Sequence, residues 1–283
     1  MLSIVKHLSR RLTVHPLSLL GPYSVHDSNK ALTYRLPVLF FTENQPFFSK
    51  KPEHIPMKII VFGDIHMAIA EARRIPDITD ADLVILNGDI TNYGGTREAR
   101  TILDEVLQLN KNVLAQFGNI DSPEINAYLE DLGLNLHGQA HLVNRKVCIV
   151  GVGGSNPTPF STPSEFSELE LKKIAHTAFQ QGLDYISLAR PLHKREIPQI
   201  FISHPPPFNT KLDRLRSGKH VGSKAIRSSI EQYQPDLCIC GHIHEAKGQD
   251  MIHATPVFNH GMLKHGGWVT INLNNSQLEV TLQ

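Results

Sequence analysis

Short apolar runs rich in β-branched residues recur along the chain from residue 57 onward, and each breaks off into a glycine or polar residue followed by a metal-grade side chain. Ile59 to Phe62 runs into Gly63-Asp64-Ile65-His66, and Leu83-Val84-Ile85-Leu86 into Asn87-Gly88-Asp89. Val113-Leu114-Ala115-Gln116-Phe117 leads to Gly118-Asn119-Ile120-Asp121, Ile200-Phe201-Ile202 to Ser203-His204, and Leu237-Cys238-Ile239-Cys240 to Gly241-His242-Ile243-His244. Runs this short, bounded by turn residues, predict buried strands. Five strand ends therefore point at one site.

Between the runs lie stretches of helical period. Residues 66–75 carry apolar positions at helical spacing up to Ile75-Pro76, where the proline stops the helix. Residues 96–109 put Ala99, Ile102, Leu103, Val106, Leu107 and Leu109 mostly on one stripe. Ser122-Pro123-Glu124 supplies an N-cap, a first-turn proline and an early acid for a helix over 123–131. Ser167-Glu168-Leu169-Glu170 reads as a capping box opening a helix toward Leu188, and a further helix is expected from Ser223 to Gln232. Residues 134–150 suggest two short strands, the second from Lys146 to Val150. The turn-rich loop that follows, Gly151 to Pro157, lacks the Gly-Lys-Ser/Thr of a phosphate loop. Val257-Phe258 and the segment from Trp268 to Leu282, turning at Asn274-Asn275, read as antiparallel strands. The alternation predicts an α/β domain over 57–283, built on a largely parallel sheet.

Residues 1–56 break this pattern, with seven Lys/Arg against three Asp/Glu, scattered prolines and no sustained period. Three readings stay open: a start assigned too far upstream of Met57, a poorly ordered extension, or a targeting peptide. Over the whole chain 28 Lys and Arg balance 27 Asp and Glu, so no large net field draws nucleic acid or an acidic membrane surface. No apolar run approaches the ~18 residues of a membrane span. Cys148, Cys238 and Cys240 all sit in strand-like runs, which suits core positions and a reducing, cytoplasmic setting without disulfides. Sixteen histidines are the compositional oddity, twelve of them after residue 57. His176 and His193 stand outside the strand-end pattern and read as surface residues.

In open α/β sheets ligands gather beyond the carboxyl ends of the strands. Those ends offer Asp64, His66, Asp89, Asn119, His204, His242 and His244, a set of N and O donors without cysteine. Such a set suits Mn, Fe, Zn or Mg. Seven donors exceed what one ion takes from protein, so two divalent ions are the natural count. At a spacing of about 3.5–4 Å one carboxylate must bridge them, and a shared water becomes a nucleophile for in-line attack on phosphorus. Lys211, Arg214, Arg216, Lys219 and His220 follow His204 on a loop that reads either as a phosphate-binding surface or as a solvated basic loop.

These five strand-end motifs, in this order, resemble the signature of the calcineurin-like metallophosphoesterase superfamily. Gly153-Gly154-Ser155-Asn156-Pro157-Thr158-Pro159-Phe160 and Thr210-Lys211-Leu212-Asp213-Arg214 further resemble its Icc-related branch of predicted phosphoesterases. The resemblance covers residues 57–283 and implies a four-layer αββα sandwich, two mixed β-sheets flanked by helices. It also implies that Asp64, His66, Asp89 and His244 hold one metal. Asp89, Asn119, His204 and His242 would hold the second, with Asp89 bridging and Asn119 also facing a phosphate oxygen. The chain departs from the family at Ile120, where many members carry the histidine that protonates the leaving alkoxide.

A positioned general acid contributes typically ~10²–10⁴-fold. Without one the enzyme should favour esters whose leaving groups need little protonation, hence a phosphodiester over a monoester. Asp121 is the nearest substitute, as acid or water-orienting group, and its other reading is a brace for the site. The expected partner is a small phosphorylated substrate, and a homo-oligomer is compatible but not required. Two rival functions are a binding or scaffold protein on this fold, as with the retromer subunit that resembles these enzymes, and a nuclease. A scaffold is free to lose ligands, whereas all seven are present. A nuclease would call for a more basic and aromatic surface.

Overall fold

A computed structural model describes residues 56–189 and 196–283, so the readings of the amino-terminal stretch before residue 56, and that of His193, lie outside the described residues. In chain order the strands are β1 (Met57–Phe62), β2 (Leu83–Asn87), β3 (Val113–Gln116), β4 (Ala140–Val143), β5 (Val147–Val152) and β6 (Gln199–Ser203). They continue with β7 (Leu237–Cys240), β8 (Gly248–Ile252), β9 (Thr255–Asn259), β10 (Val269–Asn274) and β11 (Gln277–Leu282). The helices are α1 (Thr96–Leu109), α2 (Glu124–Asp131), α3 (Glu168–Ala189) and α4 (Lys224–Tyr233).

Two mixed sheets result. One has the order β11-β10-β1-β2-β3, with β1, β2 and β3 parallel and β10 and β11 antiparallel to their neighbours. The other has the order β4-β5-β6-β7-β9-β8, parallel through β5, β6, β7 and β9 and closed at either edge by an antiparallel strand. Successive side chains on a strand point to opposite faces, so a strand covered on both sides must be apolar throughout. Three buried layers show that arrangement. Ile60, Phe62, Val84 and Leu86 meet Ile102, Leu103 and Val106 of α1. Their neighbours Ile59, Val61 and Ile85 face Ile200, Ile202 and Ile239 between the sheets. Val150, Phe201, Cys238 and Cys240 turn outward to Leu171, Phe179 and Ile226 of α3 and α4. Helices, sheet, sheet and helices make the four-layer sandwich.

The capping box of α3 is present as read: the Ser167 hydroxyl and the Glu170 carboxylate each take a backbone N–H of the other's residue, at 3.3 and 2.8 Å. Other local expectations change. Residues 66–75 form only a 3₁₀ segment, Ile69–Arg74, because His66 and Met67 take left-handed φ of 47° and 67° and delay the start until little chain remains before Pro76. At α2 the Ser122 carbonyl, not its hydroxyl, accepts from Ile125 N–H, and the Glu124 carboxylate reaches away to Thr96 N–H of α1. The second middle strand runs on through Gly151 and Val152. Val257 and Phe258 lie on β9, parallel to β7 as well as antiparallel to β8, a strand not foreseen. Among the described residues no helix is long and apolar enough to cross a membrane.

Candidate metal centre

Where β1, β2 and β3 end, the chain turns sharply and the turns are stitched together. Asp64 N–H donates to Gly88 O, and Ile65 and His66 N–H both donate to Asp89 O, at 2.9–3.0 Å. Asp64, His66, Asp89 and His242 all sit at left-handed φ, from 46° to 67°. Such backbone persists only where its surroundings over-determine it, and here it aims side chains at one point. Two glycines make the approach feasible. Gly88 has φ of +80°, and a Cβ there would strike the His204 ring. One at Gly118 would fall on the Asp89 carboxylate.

The structure brings six of the seven predicted donors into two groups. Asp64, His66, Asp89 and His244 form one, and Asp89, His204 and His242 the other, the ligand atoms within each lying within 4.8 Å of one another. Asp89 belongs to both. Its Oδ2 is 3.9 Å from His66 Nε2, while its Oδ1 is 3.4 Å from His204 Nε2 and accepts from Ile120 N–H at 3.1 Å. Asn119 joins the second group, with Oδ1 3.2 Å from His204 Nε2. Both sheets contribute: Asp64, His66, Asp89 and Asn119 follow β1, β2 and β3, and the remaining histidines follow β6 and β7.

Hydrogen bonds behind the donors fix which atom faces inward. His204 Nδ1 donates to Asn87 O at 2.8 Å, leaving Nε2 for the centre. His66 Nδ1 lies 3.1 Å from Asn92 Oδ1, and its Nε2 is 3.1 Å from His244 Nε2. The Asn119 amide donates to Thr162 Oγ1 at 3.0 Å, whose own proton goes to Glu165 at 2.7 Å. That chain leaves Asn119 Oδ1 no orientation but inward. Asp121 is fully buried and accepts from Gly118, Ile90 and Thr91 N–H and from the Thr91 hydroxyl, at 2.7–3.0 Å.

Charge in the cluster is balanced by protons. Burial alone would raise the Asp64 carboxyl, but the His244 hydrogen bond and the charges of His244, His204 and His260 outweigh it and hold Asp64 well below the usual carboxylate range. Burial likewise opposes ionisation of Asp89, and His204 overcomes it. Burial would push the His204 imidazolium down, yet Asp89 and Asp64 hold it up at about 9. Burial and the neighbouring His204 charge depress His242 to about 4. Burial and Asp89 raise Asp121. Two ionised, buried carboxylates neutralised by shared imidazole protons are a donor set fitted to divalent cations, which supply the same compensating charge.

One buried histidine beside the donors was missed. His260 is fully buried, its Nε2 3.1 Å from Asn87 Nδ2 and its Nδ1 3.8 Å from Asp64 Oδ2. It follows β9 as Val257-Phe258-Asn259-His260, an apolar run, a polar residue and then a ligand type, the order seen five times elsewhere. Lys211 and Arg214 line a cavity beside the turn after His244, and His220 Nδ1 lies 2.8 Å from Asp213.

The calcineurin-like phosphoesterase family model matches residues 57–246. An uncharacterized protein of Methanocaldococcus jannaschii, MJ1162, is 35% identical over 211 residues, 72% of this chain and 87% of that protein. Among solved structures, TT1561 of Thermus thermophilus aligns with a TM-score of 0.55 at 18% identity, over 81% of this chain and 99% of that one. A dimetal phosphatase from Danio rerio aligns at 0.51 and 11% identity, over 80% and 95%. GAP50, the anchor in the inner membrane complex of Plasmodium, also aligns at 0.51, with 12% identity over 80% and 84%.

Proposed function

The chain belongs to the calcineurin-like phosphoesterase family, and from that premise we propose that it hydrolyses a small phosphoric ester at two divalent metal ions, with diesters favoured over monoesters. The observation that carries the reading is the sharing of Asp89 between two groups of buried and half-buried donors. Asp64, His66, Asp89 and His244 would hold one ion, and Asp89, Asn119, His204 and His242 the other. Bound there, the ions would supply Lewis acidity toward a phosphoryl oxygen and lower the pKa of water.

The protein's own part is positioning. His204, His66 and Asn119 are locked by Asn87, Asn92 and Thr162 with their donor atoms facing in. Asp121 braces the β2 and β3 turns: four donors occupy its oxygens, which supports that role over proton donation. Ile120 presents no acid to a leaving group, which supports the preference for esters that depart without a proton. We read residues 57–283 as the phosphoesterase unit. Its three free, buried cysteines suit a reducing compartment such as the cytoplasm.

The anchor with the same fold keeps a non-catalytic role in view, but a scaffold has no need of seven donors, three of them fixed from behind by a backbone carbonyl and two side chains. The test is turnover of a nitrophenyl phosphodiester and the matching monoester by the full chain with Mn²⁺, with chelator, and as Asp89→Asn. Diester turnover lost in both controls is the expected result. Inactivity on both esters with about two ions bound per chain would overturn the reading in favour of the binding role.

A further inference from the structure

The loop after His204 is organised by one buried carboxylate. Asp213 is fully buried and accepts from the N–H groups of Thr210, Gly222 and Asn209 at 2.8–3.1 Å, with His220 Nδ1 2.8 Å away. Nearby acids serve the backbone too: Asp250 takes Lys211 N–H at 2.8 Å and Glu245 takes Arg216 N–H at 2.6 Å. His220 therefore braces the loop through Nδ1.

This rigid loop presents positive charge to a concavity. A cavity of about 380 Å³ is lined by Lys211, Arg214, Arg216 and Lys247, with Glu245 as its one acid and Leu212 and Ala246 among its apolar walls. Arg216 lies 3.5 Å from Glu245. Among the described residues the side chains of Lys211, Arg214 and Lys247 form no ion pair. Like charges gathered around a partly apolar hollow repel one another more than they would on an open, solvated face. A bound anion relieves that repulsion, and Arg supplies forked donors suited to phosphate. Partial burial already pulls the Lys247 ammonium below its ordinary value. The cavity wall begins one residue past the metal-centre histidine His244.

We propose that this cavity is an anion subsite for a phosphate-bearing group, supplied either by a second phosphate on the substrate or by a free phosphate compound. The first source rests on the phosphoesterase reading; the subsite itself does not. Its test is calorimetric binding of inorganic pyrophosphate to the full chain in excess chelator, where the metal centre plays no part. Lys211→Ala/Arg214→Ala is compared with wild type and with Lys264→Ala, a basic control outside the cavity. At least about tenfold weaker binding in the double variant alone is expected. Equal affinity in all three proteins, or no binding at millimolar pyrophosphate, overturns the proposal even if esterase activity is present.

A second arm compares, with metal, an aryl phosphate ester bearing a distal phosphate on its leaving group and the same ester without it. A KM lower for the first, and raised by Lys211→Ala/Arg214→Ala, places the anion on the substrate. Equal KM values with pyrophosphate binding retained assign the subsite to a free phosphate compound.

Discussion

At the scale of single residues, the reading depends on side chains that aim other side chains. Thr162 accepts from the Asn119 amide and donates to Glu165, so Thr162→Val frees the amide to rotate and strands its N–H. Loss of such an outer partner typically weakens metal binding by about 10–100-fold. Calorimetric titration with Mn²⁺ should show that loss in Thr162→Val and a smaller one in Glu165→Gln, whose amide oxygen still accepts. The strand-end donors themselves were legible because each ends an apolar run, a pattern that depends only on nearest neighbours. Thr162 and Glu165 were not, because their partner Asn119 is more than forty residues away and nothing local marks the pairing. His260 does carry the local signal, but the apolar pair Val257-Phe258 that marks the strand ends two residues short of it.

Elements differ in how far their own sequence decides them. Glu168, first residue of α3, accepts from the Ser223 hydroxyl and from Lys224 and Ala225 N–H at 2.7–3.0 Å, serving as an anion at the start of α4. Glu168→Ala should cost about 2 kcal/mol in urea unfolding. The capping box at Ser167 was readable because both partners lie within one turn; this link spans two helices and was not. β8 escaped notice for a different reason: it is an edge strand whose burial alternates with exposure, and Gly-Gln-Asp in its first half carry no apolar signal. The seam of β3 and β5 carries a pH dependence of its own. His137 accepts from Gly153 N–H at 3.0 Å, and burial lowers its pKa to about 4 from 6.5. The unfolded chain therefore takes up a proton first as pH falls. The stability tied to this group is complete above about pH 6.5 and is lost down to about pH 4, by at most about 3 kcal/mol given the ring's residual exposure. His137→Asn, which keeps an acceptor for Gly153, should flatten that part of a plot of urea midpoint against pH.

At the scale of the whole molecule, the two sheets share the apolar layer of Ile59, Ile85, Ile202 and Ile239, so neither can open without exposing the other. Unfolding followed by Trp268 fluorescence, on the first sheet's side, and by circular dichroism should coincide. Ile239→Ala should shift both curves together, at a cost of about 2–5 kcal/mol; separated transitions would show that the sheets come apart independently. Alternating strands and helices announced an α/β domain, but the division into two sheets was implied by family resemblance, since apolar runs covered on both faces read alike in one sheet or two. The placement of β10 against β1, in register from Met57↔Leu273, carries a consequence for time. The strand that delivers the first two donors is synthesised about 200 residues before the neighbour that completes it, an interval of roughly 10–40 s at ordinary translation rates. For most of that interval a nascent chain carries only part of the donor set on an unfinished edge, since His242 and His244 follow shortly before β10, so the proposed centre is completed only as a late event in the protein's own synthesis.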